Sequence, residues 1–187
     1  MKVLLIDFYD SFTYNIFHYL ESCGADVSVI EDRAIKIDEV ELYDAIIFSP
    51  GPGLPKDTCS MMPVLERYSH SKKILGICLG MQGIAVFYGE KLYNLKHVKH
   101  GVSEQITIDN SSRIFTNLTE NQTVGLYHSW AVELKENSQL EALGKSNENV
   151  LMALKNKHLP LYGVQFHPES ILTHNGKEML RNFLFVC

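Results

Sequence analysis

Short apolar runs alternate with helical stripes through the first half of the chain. Val3–Ile6, Val27–Ile30, Ala45–Phe48 and Ile74–Ile77 are apolar apart from Ser28 and Gly76, and each is bounded by polar or turn-forming residues. Such runs are expected of strands covered on both faces. Between them, Tyr14–Glu21 puts Ile16, Phe17 and Leu20 on one helical stripe, with Asp10, Ser11 and Thr13 as cap-type residues before it and Gly24 just past its end. Val40–Tyr43 reads as a short amphipathic piece, and Met81–Tyr88 as a helix stopped by Gly89. Strands alternating with helices predict parallel strands joined by right-handed crossovers. In such a sheet the functional loops lie at the carboxyl ends of the strands.

From about Lys91 the pattern changes. Stretches of β-type composition recur at Lys91–Leu95, Ser103–Ile108, Thr123–Tyr127, Ala131–Leu134, Leu140–Leu143 and Val150–Leu154, punctuated by Asp109–Ser112 and Lys135–Ser138. They predict antiparallel strands that extend or flank the parallel sheet. Leu161–Phe166 is a last apolar strand, and Asn175–Val186 a closing helix with Met179, Leu180, Phe183 and Leu184 inward. The expected fold is α/β: an open, mostly parallel sheet flanked by helices, with additional antiparallel strands in the C-terminal half. No repeat or linker divides it, so residues 1–187 are expected to form a single domain.

Composition narrows the function classes. Hydrophobic residues make up 45% and charged residues 21%, the balance of a folded globular chain. A formal charge of −5 leaves no basic footprint for nucleic acid. No apolar run approaches the roughly 18 residues of a membrane span, and the apolar start ends at Asp7, too short for a signal peptide. The four cysteines, Cys23, Cys59, Cys78 and Cys187, have neither disulfide-framework nor metal-ligand spacing, and the eight histidines form no zinc pattern. Reduced thiols, a cytoplasmic location and no metal site are expected.

The chemistry concentrates in three places. Ile74–Ile77 runs into Cys78 with Gly76 and Gly80 two residues to either side and a helix beyond, the layout of a nucleophile elbow. The turn would push the thiol into a cleft mouth, where the helix N-terminus favours thiolate. Ser49-Pro50-Gly51-Pro52-Gly53-Leu54-Pro55 is a stiff loop able to present backbone N–H groups, without the ending of a phosphate loop. With Asp7–Ser11 and Cys78–Gln82, it should converge at one sheet edge. His167 and Glu169 stand two apart at the end of the last strand, so an extended backbone stiffened by Pro168 would face both to one side. A base oriented by a carboxylate is what an elbow thiol requires. Taken singly, Cys78 could be a structural thiol, His167 a core histidine and Glu169 a solvated carboxylate.

Gly76-Ile77-Cys78-Leu79-Gly80-Met81-Gln82, Ser49-Pro50-Gly51-Pro52-Gly53 and Gln165-Phe166-His167-Pro168-Glu169-Ser170 resemble, in order, the three signatures of triad-type (class I) glutamine amidotransferases. Asp7-Phe8-Tyr9-Asp10-Ser11-Phe12-Thr13-Tyr14-Asn15 and Tyr127-His128-Ser129 are similar to the small subunits of anthranilate synthase and aminodeoxychorismate synthase. The resemblance implies a flavodoxin-like glutamine amidotransferase fold. It implies Cys78 as nucleophile, His167 as base and Glu169 as orienting acid. Glutamine would be held by Gly51, Pro52, Gly53, Gln82 and the Ser129–Trp130 backbone, with the Leu79 N–H and a loop glycine as oxyanion hole. The chain would need no cofactor, and would serve a larger chorismate-binding synthase subunit that carries magnesium. Met81 stands where the family usually has His, Phe8 where it has Asn, and Leu126 where it has Arg. All three leave the triad intact; Phe8 and Leu126 bear on partner contacts or glutamine access, whereas Met81, without a titrating group, is expected to pack. Competing readings are a stand-alone Cys-His γ-glutamyl hydrolase and a non-catalytic regulatory subunit.

Overall fold

The computed structural model describes residues 1–187. Its elements are β1 (Lys2–Asp7), α1 (Thr13–Ser22), β2 (Asp26–Glu31), β3 (Ala45–Phe48), α2 (Met61–Tyr68), β4 (Lys73–Ile77), α3 (Leu79–Phe87), β5 (Lys91–Ile108), β6 (Asn121–Glu133), β7 (Leu140–Ser146), β8 (Leu151–Asn156), β9 (Leu161–Val164) and α4 (Gly176–Phe185). All strands belong to one nine-stranded sheet in the order β2-β1-β3-β4-β9-β8-β7-β5-β6. The neighbours from β2 to β9 are parallel, and the remaining pairs are antiparallel. The second half therefore extends the parallel sheet rather than forming a separate layer.

Side-chain alternation along the parallel strands fills two cores, one on each face. Val3, Leu5, Ala45, Ile47, Leu75 and Ile77 meet Ile16 and Leu20 of α1 and Met179, Leu180, Phe183 and Leu184 of α4. Leu4, Ile6, Ile46, Phe48 and Ile74 meet Met61, Val64 and Leu65 of α2 and Met81, Ile84 and Ala85 of α3. Both faces being covered is why these strands read as continuous apolar runs.

Several expectations change. Helix α2 had no counterpart in the sequence reading, although Met61, Val64, Leu65 and Tyr68 are buried at helical spacing. Pro63 disguised it, but a proline is tolerated in the first turn, where its missing N–H has no helical partner. Helix α3 begins at Leu79, directly after the cysteine. Lys91–Leu95 and Ser103–Ile108 are ends of one strand, β5, interrupted by register shifts between Asn94 and Lys99 and between His100 and Val102. Thr123–Tyr127 and Ala131–Leu134 likewise merge into β6, so His128, Ser129 and Trp130 are strand residues. Val40–Leu42 closes a 3₁₀ turn, Ile37–Leu42, and Tyr43 follows it in extended backbone. Helix α1 takes no side-chain cap; Asp7 Oδ1 instead accepts from Thr13 Oγ1 at 2.7 Å and from the Tyr9 N–H at 2.9 Å.

Candidate active site

The sheet edge where β1, β3 and β4 end carries the chemistry. Ile77 pairs with Val164 of β9, and the Cys78 N–H donates to the Val164 carbonyl at 2.8 Å, so Cys78 is fixed by the sheet's last rung. The chain then turns abruptly: Cys78 has φ 50° and ψ −101° before α3 begins. A positive φ on a residue with a side chain is a strained conformation that persists only where the surroundings impose it. The flanking glycines make the turn sterically possible. A Cβ on Gly76 would stand 2.3 Å from the Gly80 carbonyl carbon, and one on Gly80 2.6 Å from Phe48 Cβ. The first N–H groups of α3 lack helical partners and gather at the sulfur's end of the helix.

His167 lies opposite. Its Nδ1 is 2.6 Å from Glu169 Oε1, and both side chains are buried. Here the geometry differs from the extended segment expected. Strand β9 stops at Val164, and His167-Pro168-Glu169-Ser170 forms a turn in which the Ser170 N–H donates to the His167 carbonyl at 3.1 Å. Pro168 in second place suits such a turn, because its φ is preset there. The turn, not a strand, brings the imidazole and carboxylate together. Burial alone pushes His167 down, but the Cys78 sulfur and the Glu169 carboxylate outweigh it and raise its pKa to about 10. Its Nε2 has no hydrogen-bond partner of good geometry, yet the neighbouring Cys78 sulfur contributes more than any other group to raising its pKa. Because Nδ1 donates to the carboxylate, Nε2 is the ring atom left to exchange protons.

Two cavities meet at Cys78. One, about 190 Å³, is lined by Gly51, Pro52, Gly53, Leu79, Gln82 and the Tyr127–Trp130 segment of β6. It brings together every residue the sequence singled out for substrate binding: Gly51, Pro52, Gly53, Leu79, Gln82, Ser129 and Trp130. The other, about 310 Å³, also reaches His167 and is lined by Tyr9–Phe12, Pro50–Pro52, His100 and Tyr127. A larger cavity, about 630 Å³ between Tyr93, Val132 and Leu151, lies on the antiparallel extension away from Cys78. No group of three or more His, Cys, Asp or Glu side chains converges as metal ligands would.

Other neighbours, named in the sequence only as members of resembling stretches, had no role assigned at the site. Tyr127 packs edge-on against His167 with ring centroids 4.8 Å apart, and its hydroxyl lies 3.1 Å from Ser170 Oγ. Phe12 stands at the same imidazole, at 6.3 Å. His128 is buried; its Nδ1 donates to the Trp130 carbonyl at 2.9 Å. Burial lowers its pKa against that hydrogen bond, with the charge of His167 adding to the lowering. The three departures from the family pattern all point inward. Met81 fills the space that Gly163 leaves, while Phe8 and Leu126 are core residues lining neither cavity.

A thiol on a strained strand–helix elbow, beside a carboxylate-held imidazole at the carboxyl edge of a mixed sheet, defines a class of α/β proteins. The family model for class-I glutamine amidotransferases matches residues 4–187, and the chain belongs to that family. Among its relatives is the aminodeoxychorismate/anthranilate synthase component 2 of Bacillus subtilis, 37% identical over 97% of this chain and 95% of that one. The aminodeoxychorismate synthase of Streptomyces griseus is 40% identical over 98% of this chain, which spans only 26% of that longer protein. The crystal structure of a Thermotoga maritima glutamine amidotransferase superposes with a TM-score of 0.80 at 14% identity, covering 98% of this chain and 96% of that one. At that identity it speaks for the fold alone.

Proposed function

We propose that this chain is the glutaminase component of a chorismate-aminating synthase. The observation that carries the reading is that Cys78 lies where two cavities meet, one shared with His167, whose Nδ1 is held by Glu169, and the other walled by backbone-rich segments. Glutamine's side-chain amide enters the smaller cavity, between Gly51–Gly53 and Ser129–Trp130. The Cys78 thiolate attacks the amide carbon, and the N–H of Leu79 with a loop-glycine N–H takes the oxyanion. His167 protonates the departing nitrogen and ammonia leaves. His167 then deprotonates a water that cleaves the glutamyl thioester to glutamate. Each oxyanion donor in such a site is typically worth about 3 kcal/mol. Glu169 holds the imidazole and balances its cation. None of these steps uses a cofactor bound to this chain.

Ammonia then needs a consumer. The family relatives named for chorismate-aminating synthases, one of them a far longer chain, favour a larger chorismate-binding synthase subunit as partner; that this partner carries magnesium is what the family resemblance alone implies. The second cavity opens beside exposed Tyr9, and exposed Tyr14 and Ile171 follow closely on Phe12 and Ser170 in the chain, apolar groups suited to a docking partner. Four free thiols fit a reducing, cytoplasmic setting. The test is glutamate release at saturating glutamine by the chain alone, with the synthase subunit, and with subunit plus chorismate. Turnover should be low alone and rise at each addition. Equal turnover in all three favours a stand-alone γ-glutamyl hydrolase, and none in any favours a regulatory subunit.

A further inference from the structure

Gln165 has no part in the chemistry above, yet its side chain touches the nucleophile. Its Nε2 lies 3.4 Å from Cys78 Sγ, and the residue is fully buried. The placement follows from sheet register. Ile77 pairs with Val164, so the next residues, Cys78 and Gln165, emerge side by side. Val164 belongs to the core under α1 and α4, whereas Gly163 backs onto Met81 of α3. By alternation Gln165 shares the α3 face with Gly163 and lies beneath the elbow.

The amide orientation is set by its other partner. Gln82 Nε2 donates to Gln165 Oε1 at 3.2 Å and to the Trp130 carbonyl at 3.1 Å. With Oε1 accepting, Gln165 can present only its N–H group to the sulfur. A donor aimed at sulfur favours thiolate over thiol, since a hydrogen bond to an ionised acceptor is the stronger one. A neutral amide does this without adding charge that would compete with His167 for Glu169.

We propose that Gln165 is a catalytic residue of this site, whose N–H group stabilises the Cys78 thiolate, and that Gln82 holds it in that orientation. The sulfur then has two supports of different kind: the titrating imidazole of His167 and a donor that keeps its proton at every pH. The role rests on Cys78 being the nucleophile. Other ionisable groups facing the sulfur's cavities are His167, backed by Glu169, with His100, Tyr127 and His128 from the β5–β6 ribbon and Tyr9 and Asp10 from the loop after β1. None of them is altered in the variants below.

The measurement is the rate of Cys78 carbamidomethylation by iodoacetamide against pH, read by mass spectrometry of the Cys78 peptide in the full chain. In Gln165→Met, similar in size but lacking the donor, labelling near pH 7 should slow by about tenfold, as expected for loss of one hydrogen bond to a charged group. The deficit should close at high pH, where the thiol ionises unaided. Gln165→Glu should shift the profile further up, and Gln82→Leu should shift it in the same direction by less. A deficit equal at all pH values, or no deficit in a folded Gln165→Met chain, overturns the proposal. If Gln165→Met does not fold, the Gln165→Glu and Gln82→Leu profiles decide by the same criterion. Iodoacetamide labelling needs no glutamine, so failure here would leave the glutaminase reading standing.

Discussion

Ser49 Oγ accepts the Phe8 N–H at 2.9 Å and donates to the Pro50 carbonyl at 2.6 Å, so one buried hydroxyl fastens the loop after β1 to the loop after β3. Both loops wall the cavity that Cys78 shares with His167, and the second also walls the smaller one. Ser49→Ala leaves the Phe8 N–H buried without this partner, at a cost of about 1–3 kcal/mol. For a chain of this length that lowers the melting temperature by roughly 2–4 °C per kcal/mol. Thermal unfolding should show the fall, and glutaminase assays a raised KM as the Pro-Gly loop loosens. An unchanged melting temperature would mean the hydroxyl does not hold the loops.

The elbow makes a sharper steric prediction. A Cβ on Gly80 would lie 2.6 Å from Phe48 Cβ and 2.7 Å from the Phe48 carbonyl oxygen, and the backbone there is held by β3. Gly80→Ala should destabilise the chain by about 1–3 kcal/mol, as overpacking does. Gly24→Ala is the control: its φ is +90°, but nothing lies within 4 Å of an added Cβ. It should show only conformational strain, roughly 1 kcal/mol. Urea unfolding of both chains compares crowding with strain directly, and a Gly80→Ala chain no less stable than Gly24→Ala would refute the steric account of the elbow.

What the sequence disclosed, and what it withheld, follows from how local each signal is. The elbow was legible because glycines on either side of Cys78 have one steric purpose, and the parallel strands because burial on both faces leaves unbroken apolar runs. The His167–Glu169 pairing was legible too, but its cause was misjudged: spacing of two fits a strand or a turn, and only the Ser170-to-His167 hydrogen bond distinguishes them. Tyr127 and Phe12 were visible only as members of resembling stretches, without a role, and His100 gave no signal, since their approach to the site depends on how the β5–β6 ribbon and the loop after β1 fold over the sheet edge. Gln165 was visible as a motif letter without a role, because its role depends on cross-strand register.

The triad's members should fail unequally. His167 moves protons in both half-reactions, whereas Glu169 orients and balances it. His167→Ala should remove nearly all glutaminase activity, Glu169→Gln less, and the double variant should be hardly worse than His167→Ala, because groups acting as a unit are not additive. A double loss equal to the product of the two single losses would show independent action.

The charge state of His167 links the site to stability. Its folded pKa, about 10, stands above the ordinary 6.5, so the folded chain holds a proton that the unfolded chain releases between those values. Its contribution is therefore complete below pH 6.5 and is lost as pH rises through about 10. Removing either group that raises it, by Cys78→Ala or Glu169→Gln, should flatten the fall in urea midpoint between pH 7 and pH 9. Variant and parent curves with the same slope would contradict the electrostatic coupling of the three residues.

Accessibility and reactivity should separate among the thiols. Cys59 is exposed, Cys23 and Cys187 partly so, and Cys78 is buried at 7% exposure. A diazo-ketone analogue of glutamine should nevertheless modify Cys78 and spare the rest, by mass mapping. Labelling that follows exposure, Cys59 first, would place the reactive thiol elsewhere.

The central claim is that Cys78 makes ammonia for a partner that does the amination. In the complex with the synthase subunit, product formation from chorismate can be followed with glutamine or with ammonium as nitrogen source. Cys78→Ser should abolish the glutamine-dependent reaction and leave the ammonia-dependent one at the parental rate. Retention of the glutamine-dependent reaction, or loss of both in an intact complex, would contradict it.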